Sequence, residues 1–380
     1  MSECGLCGSG LTLCFESPTG SSVTSLGEIR PGKTCVYFCE ACTHVQTQFN
    51  VETYYDNYDL LLSSPEEDQL YEVREGKKVF RTDHQLELFK NKIPSLPNNK
   101  ILDFGCGKGG FLQKLVKATP QLEPYCFEVS DRYKPYWQTF SKSQAMAVGD
   151  LPASWKGQLG TVVSFFAFEH TPDPIQSARS IWETLADDGI FYFAVPCFLN
   201  NPADFIVADH IHHYTPFSLK LWLAKAGFVV LDVDMESHRG AYLVTARKAK
   251  SVEIPVLENE GRKRNLEKIR QTQAYWNILS STIRQFESSE ARGKNAAIYG
   301  AGFYGTFIAS CLESPQKLSV FLDQDPFRQG KNCWGKPIVS PDQLPKETEV
   351  IYVGLNPLIA RSVIADISAL DGVQASYFFL

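Results

Sequence analysis

Residues 101–112 read ILDFGCGKGGFL, a short apolar run followed by a turn in which four of six residues are glycine. An apolar run of this length is typical of a buried strand, and the following FLQKLVKAT has a helical pattern. Glycine lets the backbone turn sharply and approach a ligand closely. The stretch therefore predicts a strand, a ligand-binding turn and a helix, the opening unit of an α/β domain.

Four more strand-like runs lie between residues 99 and 250, and helical patterns separate them. They read PYCFEV, TVVSFFAF, IFYFAVP and FVVLDVDM. Strands that alternate with helices indicate a largely parallel sheet covered by helices on both faces. We therefore predict a doubly wound, Rossmann-like domain over residues 99–250.

The rest of a 380-residue chain is expected to form further units, because one ordinary domain is shorter. Residues 1–98 form an N-terminal block that holds most of the cysteines. Residues 251–294 predict a connecting helix, and residues 295–380, with the strand-like NAAIYG, LSVFLD and EVIYVG, predict a second, smaller α/β domain. The apolar face of the helix has helical spacing and comprises Leu266, Ile269, Trp276, Leu279, Ile283 and Phe286.

Composition weighs against several classes of protein. The net charge is -6, and no cluster of Lys and Arg exceeds residues 262–264, which argues against a nucleic-acid partner. The chain contains no run of about 18 apolar residues, which is the length that would predict a membrane span. The N-terminal MSECGLCGSG lacks the pattern of a secretory signal, so a cytoplasmic location is expected.

The cysteines are concentrated near the N-terminus, where six of the 11 lie in the first 42 residues. Two CxxC pairs, Cys4 with Cys7 and Cys39 with Cys42, supply four thiolates for a tetrahedral Zn²⁺ site. The gap between the pairs is longer than in usual zinc ribbons, and Cys14 and Cys35 are rival ligands. A site filled by four protein ligands leaves no position for catalysis, so we predict a structural zinc.

The glycine-rich turn has the pattern DxGxGxG rather than GxGxxG, which favours the amino-acid end of S-adenosylmethionine over a dinucleotide pyrophosphate. Glu128 ends the next strand, where a carboxylate can accept both ribose hydroxyls. Asp150 and Leu151 follow a third strand-like segment that precedes TVVSFFAF, within reach of the adenine amino group. Together these features resemble the donor site of class I methyltransferases. The predicted donor-binding residues are Asp103, Gly105, Gly107, Gly109, Glu128, Asp150 and Leu151.

Histidines concentrate after two strands of the predicted sheet, where ligands bind in open α/β folds. Four of the seven histidines lie in EHTPDP and DHIHHYT. Histidine titrates near neutral pH and is the usual general base. His210 and His170 are the candidate catalytic residues, whereas His212 and His213 are expected to serve packing.

The order of these parts resembles the sugar C-methyltransferase family along nearly the whole chain. The N-terminal CxxC pairs, the methyltransferase core, the connecting helix and the C-terminal IYGAGFYG…VFLDQDPFRQGK carry the resemblance. It implies a class I methyltransferase core between a zinc-binding block and a smaller α/β domain. It also implies that S-adenosylmethionine methylates a carbon beside the ketone of a nucleotide-linked 4-keto-6-deoxy sugar.

The resemblance assigns roles to individual residues. His210 matches the base that removes the proton beside the ketone, and Asp209 stands where the family has a supporting glutamate. His170 matches a histidine that polarises or protonates the enolate oxygen. Tyr58 matches a Tyr-rich entry segment, with Tyr54 and Tyr55 as rivals. Residues 329–335, QGKNCWG, depart from the family's Pro-Gly turn and leave the identity of the sugar nucleotide open.

Two alternative functions and a second cofactor remain open at this stage. A saccharide O-methyltransferase would share the donor site, and a binding or scaffold protein would keep the core without turnover. The turn GAGFYG at residues 300–305, with Asp323 after the next strand, also fits a dinucleotide fingerprint. Phe303 and Tyr304 would crowd a pyrophosphate, so we expect this turn to be a wall of the nucleotide-sugar cleft or a remnant.

Overall fold

The computed structural model of the protein describes residues 3–18, 20–49 and 67–380. Its N-terminal block consists of short antiparallel strands, of which β1, β4 and β5 form one sheet and β2 and β3 form a hairpin. A second hairpin, β6 and β7, leads into helix α1. The elements are β1 Thr12–Glu16, β2 Ser21–Val23, β3 Ile29–Pro31, β4 Cys35–Phe38, β5 Val45–Thr47, β6 Leu70–Arg74, β7 Lys77–Phe80 and α1 Arg81–Lys92.

The middle of the chain forms a seven-stranded sheet with helices on both faces. Its elements, with the short strand β13 that leaves this sheet, are β8 Lys100–Phe104, α2 Gly110–Ala118, β9 Glu123–Glu128, α3 Lys134–Trp137, β10 Met146–Val148, β11 Leu159–Phe165, α4 Pro174–Thr184, β12 Leu185–Pro196, β13 His212–His213, α5 Pro216–Ala226, β14 Phe228–Asp234 and β15 Ala241–Lys248. The strand order is β10-β9-β8-β11-β12-β15-β14.

The first five strands of this sheet, from β10 to β12, are parallel, and β15 is antiparallel to both of its neighbours. The parallel part has the order of a doubly wound nucleotide-binding sheet. Strand β11 is buried along almost its whole length because helices cover both faces, so it reads as a continuous apolar run. The predicted Rossmann-like core and its five strands are confirmed, whereas β15 was not predicted.

The C-terminal part is a second parallel sheet preceded by a long helix. Its elements are α6 Asn259–Phe286, β16 Ala296–Tyr299, α7 Phe303–Cys311, β17 Leu318–Leu322, β18 Asn332–Cys333, β19 Lys336–Val339, β20 Val350–Val353, α8 Ala360–Ala365 and β21 Ser376–Phe379. The order is β18-β19-β17-β16-β20-β21, with only β18 antiparallel to its neighbour. The three strands predicted here, β16, β17 and β20, are confirmed.

Helix α6 is the predicted connecting helix, and it joins the N-terminal sheet to the C-terminal one. Its apolar face, including Ile269, Trp276 and Ile283, is buried in the same cluster as Phe15 of β1 and Phe307 of α7. The Trp276 indole donates a hydrogen bond to the carbonyl of Pro202, 2.8 Å away. The helix therefore packs the three parts of the chain together, while the domain boundaries at residues 98, 250 and 294 stay predictions.

Strand β13 leaves the central sheet and extends the N-terminal one. His212 pairs with Gln46 and His213 with Val45, antiparallel to β5. Helix α5 begins directly after it, with the Thr215 hydroxyl accepting from Ser218 N in a capping box, and it ends at Gly227 in the left-handed region. Among the helices that the structure describes, none is long and apolar enough to cross a membrane.

Candidate active site

A cavity of about 960 Å³ opens at the carboxyl ends of the parallel strands β8, β9 and β11. This is the edge at which open α/β sheets bind ligands. Residues on three sides of the cavity come from the glycine-rich turn, the end of β9 and the segment after β11. Among those that line it are Asp103, Gly105, Gly107, Glu128, Phe166 and His170.

The glycine-rich turn needs glycine for both backbone and space. Gly105 and Gly109 have φ of 77° and 76°, in the left-handed region. A Cβ on Gly105 would lie 2.8 Å from the Ala167 Cβ, and one on Gly109 would lie 2.6 Å from a Phe140 ring carbon. Gly107 and Gly110 reach the cavity, whereas Gly109 supports the turn from behind.

Two carboxylates face this turn, the buried Asp103 and the half-buried Glu128. Glu128 accepts hydrogen bonds from the backbone N of Gly107 at 3.0 Å and of Val129 at 2.8 Å. Burial raises the pKa of Glu128, and burial together with the nearby Glu128 charge raises the pKa of Asp103 to about 8. The Asp103 Oδ1 is buried without a hydrogen-bond partner. An unsatisfied carboxylate oxygen beside the cavity fits a cationic donor group, as at the amino-acid end of S-adenosylmethionine.

The two residues predicted to contact the adenine do not line the cavity. Gly149 and Val148 line it, but Asp150 and Leu151 do not. Asp150 N bonds to the carbonyl of Val148 at 3.0 Å, which closes a tight turn and leaves the Asp150 side chain exposed. The structure therefore brings together four of the predicted donor residues, Asp103, Gly105, Gly107 and Glu128, around one cavity.

The four cysteines of the two CxxC pairs converge. Cys4 Sγ lies 3.6 Å from Cys42 Sγ, and Cys7 Sγ lies 3.5 Å from Cys39 Sγ, with all four sulphurs within 4.8 Å of one another. A tetrahedral zinc with Zn–S bonds of about 2.3 Å separates its sulphurs by about 3.8 Å. The cluster therefore fits Zn²⁺, whereas Cys14 instead donates to the Val36 carbonyl at 3.2 Å.

A backbone hydrogen bond closes the turn at each CxxC pair of this cluster. Gly8 N donates to the Cys4 carbonyl and Thr43 N donates to the Cys39 carbonyl, each at 2.8 Å. Gly8 and Thr43 both have positive φ, as required for the tight turn after each pair. Each CxxC thus forms a similar knuckle that points both sulphurs toward the other pair.

His170 and His210 meet at the edge of the sheet beyond the cavity. Their ring centroids lie 4.8 Å apart, edge to face. His170 lines the cavity and its side chain is 20% exposed, whereas His210 does not line it and its side chain is 11% exposed. The two candidate catalytic histidines are therefore neighbours, with His170 nearer the glycine-rich turn.

The carboxylate that supports His210 is not the predicted one. His210 Nδ1 lies 2.6 Å from Asp204 Oδ1, and both residues are buried. Asp209, predicted as the partner, instead accepts from Ser25 N and Ser25 Oγ, each at 2.6 Å. A turn at residues 208–209, in which His210 N donates to the Val207 carbonyl at 3.3 Å, follows the 3₁₀ turn at Pro202–Ile206 that carries Asp204, and the chain thereby returns to place Asp204 beside His210.

Asp209 contributes to His170 through its backbone and its charge. His170 Nδ1 lies 2.8 Å from the Asp209 carbonyl, which can only accept, so this nitrogen carries the proton in the neutral ring. The Asp209 carboxylate lies 3.7 Å from the same nitrogen. Both histidines thus use Nδ1 for orientation, and His170 Nε2 lies 3.9 Å from Glu169 Oε1.

The two histidines differ in proton affinity. Burial lowers the pKa of His210, but the hydrogen bond and charge of Asp204, with smaller effects of Asp209 and Glu169, raise it to about 9. Burial and the neighbouring His210 lower the pKa of His170 to about 4. Burial raises the pKa of Asp204, but His213 and His210 bring it down to about 2. At neutral pH this arrangement favours an imidazolium at His210 and a neutral ring at His170.

Asp204 is the residue that sequence reasoning missed, and no local signal marks it. It stands in the unremarkable string NNPADFIVADH, six positions before its partner. His212 packs its ring against His44, with Nδ1 2.9 Å from His44 Nε2, as expected of a structural histidine. Tyr54, Tyr55 and Tyr58 lie outside the described residues.

In the C-terminal sheet, side chains that follow the next strand form hydrogen bonds to the glycine-rich turn at residues 300–305. Ala301 N donates to Asp323 at 3.0 Å, and Arg328 donates to the Ala301 carbonyl at 2.6 Å. A Cβ on Gly305 would lie 1.9 Å from the Gly300 carbonyl oxygen, so this glycine serves close packing of α7 on the sheet. The Tyr304 hydroxyl bonds to Ala203 N and to Asn201, and so ties α7 to the loop that carries Asp204.

Known proteins share the central part of this chain. Residues 78–233 match the family model described as a methyltransferase domain. C-methyltransferase NovU of Streptomyces niveus is 25% identical in an alignment 278 residues long, which covers 68% of this chain and 66% of that protein. The chain therefore spans slightly under two thirds of the length of this relative.

Solved methyltransferase structures are among those that are similar to this chain. A S-adenosylmethionine-dependent enzyme from Mesorhizobium loti has 15% identity and a TM-score of 0.36, covering 43% of this chain and 98% of its own. One from Aquifex aeolicus has 18% identity and a TM-score of 0.36, covering 44% and 89%. The family match and the sheet order together give the chain an S-adenosylmethionine-dependent methyltransferase domain of class I fold.

Proposed function

We propose that the chain transfers the methyl group of S-adenosylmethionine to a carbon beside the ketone of a nucleotide-linked 4-keto deoxy sugar. The observation that carries this proposal is the contact between His170 and His210, two histidines of opposite proton preference at the rim of the donor cavity. The similarity to NovU, named as a C-methyltransferase, supports carbon as the acceptor.

Methylation of such a carbon makes two demands on the protein. The proton beside the ketone must be removed, and the negative charge that then spreads onto oxygen must be stabilised. The enolate carbon then attacks the sulfonium methyl, the carbon–sulphur bond breaks, and S-adenosylhomocysteine leaves. Methylation of a hydroxyl needs a base alone, so a paired base and acid favour a carbon acceptor.

The resemblance to known enzymes makes His210 the base, but the charges around it favour the reverse assignment. An imidazolium held by Asp204 can donate from Nε2 to the ketone oxygen and stabilise the enolate. Neutral His170, nearer the donor, can accept the carbon-bound proton. The pH dependence separates the two assignments: activity falls as pH rises through about 9 if His210 is the acid, and rises if His210 is the base.

Zinc and the donor take separate positions in this proposal. Cys4, Cys7, Cys39 and Cys42 would hold Zn²⁺ as a structural ion with no open coordination place. Asp103 and Glu128 would orient the donor, with Asp103 facing its amino-acid end and Glu128 its ribose. The chain itself supplies the acid and the base.

The test is incubation with methyl-labelled S-adenosylmethionine and a panel of nucleotide-linked 4-keto sugars in D₂O. We expect label in the sugar and, without donor turnover, exchange of the proton beside the ketone. His210→Asn and His170→Asn should each reduce transfer by about 100-fold. His212→Asn, in the same loop but turned toward His44, is the control and should stay within a few-fold of wild type.

Label transfer to oxygen without proton exchange would replace the carbon acceptor by a hydroxyl. Donor binding without transfer to any sugar in the panel would favour a binding or scaffold role. Transfer unchanged in both His170→Asn and His210→Asn would remove the histidine pair from the mechanism.

A further inference from the structure

Backbone hydrogen bonds join the N-terminal block to residues 208–213, the segment that carries His210. Ala208 N donates to the Val23 carbonyl at 2.9 Å, and Thr47 N donates to the Ile211 carbonyl at 3.2 Å. Strand β13 then continues the pairing with β5. Backbone contacts of this kind fix the position of the segment, and two side chains of the block extend the contact to the histidines themselves.

One buried chain of polar groups runs from Thr47 to His210. Thr47 Oγ1 lies 2.8 Å from His213 Nε2, and His213 Nδ1 lies 3.4 Å from Asp204 Oδ2. The other oxygen of Asp204 lies 2.6 Å from His210 Nδ1. All four residues are buried, and Thr47 and His213 are fully so.

The Thr47 hydroxyl can donate to His213 Nε2 or accept from it, and the Asp204 carboxylate favours the first arrangement because a proton on Nδ1 then faces it. When the hydroxyl donates to Nε2, the proton stands on Nδ1 and faces the Asp204 carboxylate. With the opposite tautomer, a nitrogen lone pair would face that carboxylate and repel it. By donating to Nε2, Thr47 therefore stabilises the tautomer whose Nδ1–H faces Asp204 Oδ2, 3.4 Å away, although the two atoms form no hydrogen bond.

A second, shorter path runs from Ser25 to His170. Ser25 lies between β2 and β3, and its N and Oγ hold the two carboxylate oxygens of Asp209, each at 2.6 Å. The Asp209 carbonyl in turn lies 2.8 Å from His170 Nδ1. Each histidine of the pair thus depends on one hydroxyl of the N-terminal block.

We propose that Thr47 and Ser25 are positioning residues of the acid–base pair, acting on His210 through His213 and Asp204 and on His170 through Asp209. The N-terminal block would then orient the acid–base pair of the active site in addition to binding a structural metal. The inference rests on the proposed function for its meaning in catalysis, but the effect on the histidines is measurable without any acceptor.

The charged and titratable groups that face His210 are Asp204, Asp209, Glu169, His170 and His213. Loss of the Thr47 hydroxyl affects His210 only through His213 and Asp204. Valine matches threonine in shape and removes the donor, while serine keeps it. Thr47→Val should therefore weaken the hold of Asp204 on His210, and Thr47→Ser should retain it.

The experiment is ¹⁵N NMR titration of the histidine rings in the full chain, with His210 identified by its loss in His210→Asn. In Thr47→Val we expect the pKa of His210 to fall from about 9 toward 6.5, with Thr47→Ser close to wild type. Ser25→Ala should alter the His170 signals and leave the titration of His210 largely unchanged. In activity, Thr47→Val should lower kcat about 10-fold at pH 8 with little change in KM for the donor.

Equal titration of His210 in Thr47→Val and Thr47→Ser would overturn the role of Thr47, and unchanged His170 signals in Ser25→Ala would overturn that of Ser25. If Thr47→Val does not fold, the Ser25→Ala comparison alone decides whether the block reaches the pair. If the titrations shift as expected but wild type exchanges no sugar proton, the positioning stands and the proposed function fails.

Discussion

Asp204 and His210 form a buried ion pair across six positions of sequence, with Oδ1 and Nδ1 2.6 Å apart. The pair stands behind His170, which faces the donor cavity. An aspartate in this position orients the ring and favours its charged form. The proton of His210 is therefore controlled by a residue outside the DHIHHYT string that marks this histidine.

Replacement of the two aspartates near His210 should have unequal effects. Asp204→Asn keeps the shape but removes the charge that contacts Nδ1, so the pKa of His210 should fall and kcat/KM should drop about 100-fold. Asp209→Asn should lower the pKa of His210 less, because its carboxylate is bound by Ser25. Histidine titration and kinetics check both variants, and a larger effect of Asp209→Asn would contradict the pairing.

The same ion pair makes stability depend on pH in a defined direction. His210 has a pKa of about 9 in the folded chain against 6.5 when unfolded, so its stabilisation is complete below pH 6.5 and is lost as pH rises through 9. The difference corresponds to about 3 kcal/mol. Asp204, with its pKa lowered to about 2, loses its contribution only as pH falls through that value.

Urea unfolding of wild type and Asp204→Asn at pH 6 and pH 10 measures this effect. The gap in unfolding free energy between the two proteins should be wide at pH 6 and should nearly close at pH 10. Subtraction of the variant removes the contribution of other groups that titrate in the alkaline range. A gap that widens toward pH 10 would mean that the pair does not hold a proton at neutral pH.

Donor binding should release a proton from Asp103. The pKa of this buried carboxyl is raised to about 8, so at pH 7 it is mostly protonated in the free protein. A cationic group beside it favours the carboxylate, and binding of S-adenosylmethionine should then release close to one proton. Calorimetry in two buffers of different ionisation enthalpy measures that release. Asp103→Asn should bind more weakly and release markedly less, whereas equal release in both proteins would exclude Asp103 as its source.

The cysteine cluster should hold one zinc per chain. Cys42→Ser should lose the metal, and Tm should fall by about 10 °C, since structural zinc contributes several kcal/mol to folding. Cys14→Ser is the matched control, because Cys14 is buried nearby but bonds to a carbonyl instead of the cluster. Metal analysis and thermal unfolding of both variants provide the test. Zinc retained in Cys42→Ser and lost in Cys14→Ser would give the site a different ligand set.

Local sequence predicted which residues surround the glycine-rich turn better than which residues surround the histidine pair. Asp103, Gly105 and Gly107 belong to one continuous turn, and Glu128 ends the adjacent strand, so a strand–turn–helix pattern is enough to bring them together. Strand β15 was missed because AYLVTARK combines a polar Thr245 with a basic end and lacks a clear alternation. Its antiparallel position inside the sheet is decided by tertiary packing.

The surroundings of the histidine pair depend on contacts between distant segments. Ser25 is separated from Asp209 by 184 positions, and Thr47 from His213 by 166. No periodicity or spacing links such residues, because their proximity arises when β13 joins the N-terminal sheet. Proximity along the chain favoured Asp209 as the partner of His210, and the fold instead brings Asp204 to it.

The pairing of β13 with β5 also limits which segments of this protein can be exchanged with those of a relative. Side chains alternate along a strand, so a shift of one residue would turn His213 toward His44 and His212 toward Asp204. The N-terminal strands and the loop before α5 must therefore change together. A chimera that takes its first 49 residues from a relative and the loop from this chain would keep its histidines in place only if the register of β5 against β13 were retained, whether or not every cysteine were retained.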